Sequence, residues 1–315
     1  MSWQASAPSN IALIKYMGKL DFSRNIPSNA SLSYTLEDLK TFVEIEQVDG
    51  PEDLWKPLVQ TGCLSPIFSI KGQQRFLNYF KKLKDLYNVK ENFLIKSANN
   101  FPSDSGMASS ASSFAALSIA ADMAFSSLGY RNHSDQTLYQ LSREGSGSSC
   151  RSFFKPWAIW KNTEVFIPKI KIQKLLHDVV LVDTKIKEVS SGDAHKRIET
   201  SPNNVGRKER AEKRLDDLLI AFNTDNWKGA FNIVWDEFMD MHELFESAEP
   251  LFCYRTEKSY AAMQAAREFW KENNDGPLVT MDAGPNLHLL WREDQVLLRE
   301  RLKAIMNDKG FAYLD

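Results

Sequence analysis

In the first 170 residues the apolar positions come in short runs or alternate with polar ones. That pattern predicts strands at IALIKY (11–16), SLSYTL (31–36), TFVEIEQV (41–48) and NFLIKSA (92–98). RFLNYFKKLKDLY (75–87) breaks the period: its apolar residues recur at helical spacing with lysines opposite, which predicts an amphipathic helix. Further helices are expected from Ser105 to about Phe125 and around 134–144, followed by a strand pair at WAIW (157–160) and EVFIP (164–168). The second part opens on the strand VVLVDT (179–184). It then turns helical, with three long amphipathic segments starting at Glu209, Trp227 and Ser259. Strands LVTMD (278–282) and LHLLW (287–291), a helix near 294–307 and FAYL close the chain. Helices enclosed by strands in this way predict an α+β fold, with helices stacked on one face of a small antiparallel sheet. A boundary is expected between residues 170 and 195, giving domains 1–180 and 181–315.

At 315 residues and 43% hydrophobic content, the chain is at the size where one core begins to divide into two. Its net charge of -2 and mixed charge pattern leave no basic face, so nucleic acid is not an expected partner. Cys63, Cys150 and Cys253 are widely spaced, which indicates neither a disulfide framework nor a zinc knuckle. There is no charged segment leading into an apolar one at the N-terminus and no run of about 18 apolar residues. A soluble, cytoplasmic protein without a membrane partner is expected.

The most informative stretch is NNFPSDSGMASSASSFAA (99–116), where Pro102, Gly106 and small hydroxylated residues precede an alanine-rich helix. The first N–H groups of a helix have no intrahelical partner and carry the positive end of its dipole. A loop with little side-chain bulk therefore lets phosphoryl oxygens approach them. Ser105, Ser109 and Ser110 add hydroxyl donors and candidate Mg2+ ligands. The same residues would equally make an ordinary capped helix packed by alanines. Four other segments carry chemistry. Lys15 and Lys19 lie at and beyond the end of a strand, and GSGSSCRS (145–152) sets hydroxyls beside the Arg151 fork. MDAGPN (281–286) brings Asp282 out of a strand into a turn, and KEVSSG (187–192) supplies a hydroxyl pair. An anionic substrate with several phosphates would explain their recurrence together. GxxxxGK[ST] and GxSxG are absent, and His242-Glu243 has no histidine four residues after His242, so a P-loop NTPase, a hydrolase elbow and a zincin helix are not indicated.

Taken in order, APSNIALIKYMGK, NIPSNASLSYTL, SANNFPSDSGMASSASSFAAL, EGSGSSCRSFF, KEVSSG and MDAGPN resemble the motif series of the diphosphomevalonate decarboxylases, members of the GHMP kinase superfamily. The resemblance runs through nearly the whole chain. It implies a two-domain GHMP kinase fold: an N-terminal ATP-binding domain like ribosomal protein S5 domain 2, and a C-terminal ferredoxin-like domain, with the active site between them. It also implies ATP-dependent decarboxylation of mevalonate 5-diphosphate to isopentenyl diphosphate, with ADP, phosphate and CO2 as the other products. Mg2+ is implied as cofactor and a homodimer as the assembly.

Carried over residue by residue, the resemblance makes Asp282 the group that orients or deprotonates the tertiary hydroxyl, with Lys15 beside it and Arg151 on the substrate carboxylate. Tyr16, Lys19, Arg75, Ser146, Ser148 and Ser191 match positions that hold the rest of the substrate. Ser97, Asn99, Pro102, Ser105, Gly106, Met107, Ala108, Ser109 and Ser110 match the nucleotide-binding stretch, with Ser109 a candidate metal ligand. Met17 stands where the family usually has Trp, Asp104 where Ala is common, Ser113 in place of a Gly, and Lys155-Pro156 in place of a Gly-Gly pair. Two other readings remain: a sibling enzyme acting on mevalonate or mevalonate 5-phosphate, as a 3-kinase or a decarboxylase, and a non-catalytic regulator that binds nucleotide or an isoprenoid precursor.

Overall fold

The computed structural model describes residues 1–64, 70–102, 109–130, 135–183 and 188–314. Strand β1 (Ser2–Ile14) leads into a small hairpin, β2 (Lys19–Asp21) and β3 (Ile26–Pro27), and then into β4 (Ser31–Val48). The two strands expected at 31–36 and 41–48 are thus one. The polar run between them is absorbed by an irregularity opposite Pro8 and Ser9, where pairing jumps from Lys40 to Leu36 and the ladder then continues. Residues 31–36 of β4 are buried at every position, as expected of a strand covered on both faces, whereas 41–46 alternate.

β5 (Leu54–Pro57), helix α1 (Ile70–Tyr87), β6 (Asn92–Asn99), helices α2 (Ser109–Ser127) and α3 (Asp135–Gly145), a 3-10 turn at Gly147–Phe153, β7 (Trp157–Lys161) and β8 (Glu164–Phe166) complete the first half. β1, β6 and β7 all pair with β4, and β5 and β8 form the edges beside β6 and β7. α2 is not amphipathic. Ala111, Ala115, Ala116, Ala120 and Ala124 are all fully buried, and these small side chains let the helix lie close to β1, β4 and the 3-10 turn. Phe80, Phe93 and Phe125 meet edge-on or tilted between α1, α2 and the sheet. Each such buried ring contributes roughly 2–3 kcal/mol.

The second half contains β9 (Leu175–Leu181), α4 (Ser191–Arg197), α5 (Arg207–Asn223), α6 (Trp227–Glu246), α7 (Glu257–Asn273), β10 (Leu278–Thr280), β11 (Leu287–Arg292), α8 (Val296–Asp308) and β12 (Ala312–Tyr313). Its four strands pair antiparallel in the order β10, β11, β9, β12. β9 begins earlier than the sequence pattern suggests, and β10 ends at Thr280, so Met281 and Asp282 project beyond the strand. One hydrophobic core runs through both halves. Ile11, Leu32 and Trp157 of the first sheet pack with Leu218, Phe222, Phe238, Leu278 and Trp291 of the second half. That shared core holds the ends of β1 and β10 against each other, and the site lies there.

Candidate active site

β1 ends at Ile14 because the next peptide has other partners. The Lys15 N–H donates to Glu237 Oε1 on α6 at 2.9 Å, and the Lys15 carbonyl accepts from Asn29 Nδ2 at 2.9 Å. With its backbone held from both sides, Lys15 is 1% exposed and directs its ammonium onto Asp282 Oδ1 at 2.6 Å. Asp282 is aimed by the turn after β10. Gly284 N–H closes on the Asp282 carbonyl, and Asn286 Oδ1 accepts the Val182 and Asp183 amides at 2.7 and 3.1 Å. Burial pushes the Asp282 carboxyl up, but Lys15, His288 and Arg151 outweigh it and hold the group below the ordinary carboxylate value. Burial lowers the Lys15 ammonium, against the opposing pull of Asp282 and Glu237.

The 3-10 turn places Arg151 on the facing wall. Nε donates to Asn10 Oδ1 at 3.1 Å and Nη1 to Ser31 Oγ at 2.8 Å. Asn10 in turn donates to Ser152 Oγ at 2.9 Å, which fixes the turn against β1. Arg151 is buried yet has no carboxylate within ion-pair distance among the described residues. A guanidinium donates through five N–H groups, so the remainder of the fork is available for an anion.

Along the same cleft lie Tyr16, Lys19, Arg75, Ser146, Ser148 and Ser191, together with Ser109 and Ser110 at the start of α2. Lys19 donates to Asn25 Oδ1 at 2.6 Å, and burial, Arg75 and Lys196 push its ammonium down to about 8. Arg75 reaches over the Phe114 ring and donates to the Gly145 carbonyl at 2.6 Å. Ser146 Oγ donates to Ser110 Oγ at 3.3 Å, tying the turn to the helix N-terminus. The Tyr16 hydroxyl is enclosed without a hydrogen-bond partner among the described residues, and Gly147 packs so closely that a Cβ there would lie 2.5 Å from it.

Ser105, Gly106, Met107 and Ala108, like Asp104, lie outside the described residues. Ser97, Asn99 and Pro102 are not brought onto the cleft wall. Ser97 Oγ accepts from Trp55 Nε1 at 2.9 Å and Asn99 Oδ1 from Thr41 Oγ1 at 2.7 Å, so both side chains serve the sheet, and half-buried Pro102 follows β6. Met17 packs with Met241 and Ala283, and all three line the cleft. His242 is enclosed among the rings of Phe238, Phe245 and Tyr254, and burial pushes its imidazole down to about 3. Asn10 and Asn29 stand within the motif strings but are given no role there, and Glu237 and His195 are site residues that lie outside those strings.

A model of diphosphomevalonate decarboxylase-like N-terminal domains matches residues 7–165, and one of mevalonate 5-diphosphate decarboxylase C-terminal domains matches residues 178–309. The chain belongs to the diphosphomevalonate decarboxylase family. Among solved members, a mevalonate diphosphate decarboxylase from Legionella pneumophila is 45% identical, with a TM-score of 0.94 and full coverage of both chains. A structure described as MDDEF in complex with MVAPP, AMPPCP and magnesium is 28% identical, with a TM-score of 0.85 over 99% of this chain and 96% of its own. The human diphosphomevalonate decarboxylase is 28% identical over 317 residues, covering 92% of this chain and 77% of its own. The architecture is accordingly the two-domain α+β GHMP-kinase-type fold of these decarboxylases.

Proposed function

We propose that this chain catalyses the ATP-dependent decarboxylation of mevalonate 5-diphosphate to isopentenyl diphosphate, ADP, phosphate and CO2. One observation carries the reading: the Lys15–Asp282 ion pair and the partly unengaged fork of Arg151 line the same cleft. A kinase that stops at the phosphorylated alcohol needs only the first, whereas loss of CO2 calls for a group that holds the carboxylate. Asp282, ionised and aimed by its turn, orients the C3 hydroxyl and takes its proton as the oxygen attacks the γ-phosphorus. Lys15 balances negative charge beside it. When phosphate later leaves C3, the C–C bond to the carboxylate supplies the electrons for the new double bond. Arg151 holds that carboxylate aligned with the departing group.

Tyr16, Lys19, Arg75, Ser146, Ser148 and Ser191 hold the diphosphate end and the substrate backbone in this proposal. The first turn of α2 receives the nucleotide phosphates through Ser109 and Ser110, with Ser105 to Ala108 preceding it. Ser97, Asn99 and Pro102 enter as the stretch leading into that loop. The hydroxyl of Ser109 suits Mg2+, which takes most of its ligands from water and phosphate oxygens. When bound, the ion neutralises charge on the transferring phosphoryl group.

The division near residue 180, a homodimeric assembly and a cytoplasmic location belong to the same proposal and rest on the resemblance. Among the described residues no helix is long and apolar enough to cross a membrane. The test supplies Mg-ATP with mevalonate, its 5-phosphate or its 5-diphosphate, and follows ADP, phosphate and CO2 together. Equal yields of all three from the diphosphate alone are expected. ADP without CO2 would mean a kinase, and silence with all three substrates would mean a binding protein.

A further inference from the structure

His195, on α4, has no role in the chemistry described so far, yet it lies on the wall of the cleft while only 5% exposed. Its Nδ1 accepts the Gly18 N–H at 3.0 Å. A backbone amide can only donate, so Nδ1 carries the lone pair and the neutral ring carries its proton on Nε2. Protonating Nδ1 would set two N–H groups against each other. Burial and the Lys19 ammonium also keep the ring uncharged by holding it well below its ordinary value. The amide is itself fixed. Gly18 has φ +99°, and a Cβ there would lie 2.4 Å from Ser28 Oγ, so this turn requires glycine. The Tyr16 ring packs against the imidazole, with centroids 4.4 Å apart and planes tilted by 44°.

Nε2–H has no acceptor among the described residues, and unlike the ring nitrogens of His242 it is not sealed from the cleft. The ring lines the same cleft as Lys19, Ser191 and Gly192, the Lys19 ammonium is near enough to act on it, and its hydrogen bond to Gly18 leaves the Lys15–Asp282 pair untouched. We infer that His195 is a specificity-determining residue that donates Nε2–H to the terminal phosphate of the substrate's diphosphate, and so discriminates it from a monophosphate. The inference rests on the function proposed above. A donor built for one phosphoryl oxygen stays unpaired when that group is missing, which penalises the shorter substrate.

His195→Asn tests it, because the Asn carbonyl reproduces the Nδ1 acceptor for Gly18 while the outward donor is deleted. KM for mevalonate 5-diphosphate is expected to rise about 10-fold or more, as for loss of one hydrogen bond to a charged group. The kcat, the affinity for Mg-ATP and the affinity for mevalonate 5-phosphate measured as a competing ligand are expected to stay within about twofold. His195→Gln, which extends an amide N–H toward the Nε2 position, is expected to recover most of the loss. An unchanged KM, or an equal loss on both phosphates, would overturn the assignment. Nitrogen-labelled histidine in the wild-type protein provides a readout independent of how the variants fold. The Nε2–H signal is expected to shift with mevalonate 5-diphosphate and not with the 5-phosphate, and no shift would also overturn it. Wild-type protein that fails to turn over the diphosphate would refute the proposed function. Normal wild-type turnover with an unaltered Asn variant would refute only the role of His195.

Discussion

Replacing Glu237 by Gln removes one negative charge from the buried centre of an ion-pair network and leaves the shape nearly unchanged. Glu237 accepts the Lys15 N–H on Oε1 and two donors on Oε2, Arg207 Nη1 at 3.0 Å and Arg214 Nη1 at 2.9 Å, with Arg207 Nη2 also on Oε1. Asp240 is the other carboxylate that these arginines share, and Arg210 leans on it too. In the Gln variant three guanidiniums face one carboxylate in a site where Arg207 is 2% exposed. Breaking a buried pair by removing one partner costs about 3–5 kcal/mol. For a chain of this length each kcal/mol is worth about 1.5–2 °C, so Tm is expected to fall by roughly 5–10 °C. A second effect reaches the chemistry. The Glu237 charge raises the Lys15 pKa against the burial that lowers it, so without Glu237 that pKa falls further. The alkaline limb of the kcat profile is then expected to move to lower pH. Thermal denaturation and a pH series of kcat read the two effects separately. A variant that melts with the wild type and keeps its alkaline limb would refute this account of how Lys15 is held.

Arg151→Lys keeps the charge but loses the fork that bridges Asn10 and Ser31 while presenting further donors. Loss of about 3 kcal/mol, near 100-fold in kcat/KM, is expected with Mg-ATP affinity unchanged, and steady-state kinetics with isothermal titration check both. Lys19, pushed down to about 8, is charged below that pH and neutral above it. KM for the diphosphate substrate is therefore expected to rise between pH 7 and pH 9, and a KM independent of pH across that range would contradict the assignment. Gly147→Ala would bring a methyl group to 2.5 Å from the Tyr16 hydroxyl. A destabilisation of about 1–3 kcal/mol with weaker substrate binding is expected, read from Tm and KM.

The residues that meet in the cleft were legible wherever chemistry is written in a short local string. Asp282 in its Gly-Pro turn, Lys15 at a strand end and Arg151 beside serines all stand out in this way. Their meeting was not legible. Lys15 and Asp282 are 267 residues apart, and what joins them is a core shared by two sheets. Glu237 did leave a trace, since it falls on the same helical stripe as Val234, Phe238 and Met241, where a charge is out of place unless paired. His195 left none: GDAHKR is ordinary helix sequence, and only the Gly18 amide gives the ring its tautomer. β4 read as two strands because the polar residues between its halves break the apolar pattern, while the backbone pairs on through an irregularity that composition does not encode.

Carboxyl-labelled mevalonate 5-diphosphate, mixed with Mg-ATP and either the wild-type protein or the Asp282→Asn variant, tests the central claim most directly. The wild type is expected to release labelled CO2 in step with ADP and phosphate, one of each per turnover. The variant, which retains the shape of the turn but offers no base and leaves Lys15 without its counter-charge, is expected to bind nucleotide and release almost none. A variant that forms CO2 at near the wild-type rate, or a wild type that forms ADP while retaining the label, would contradict the account.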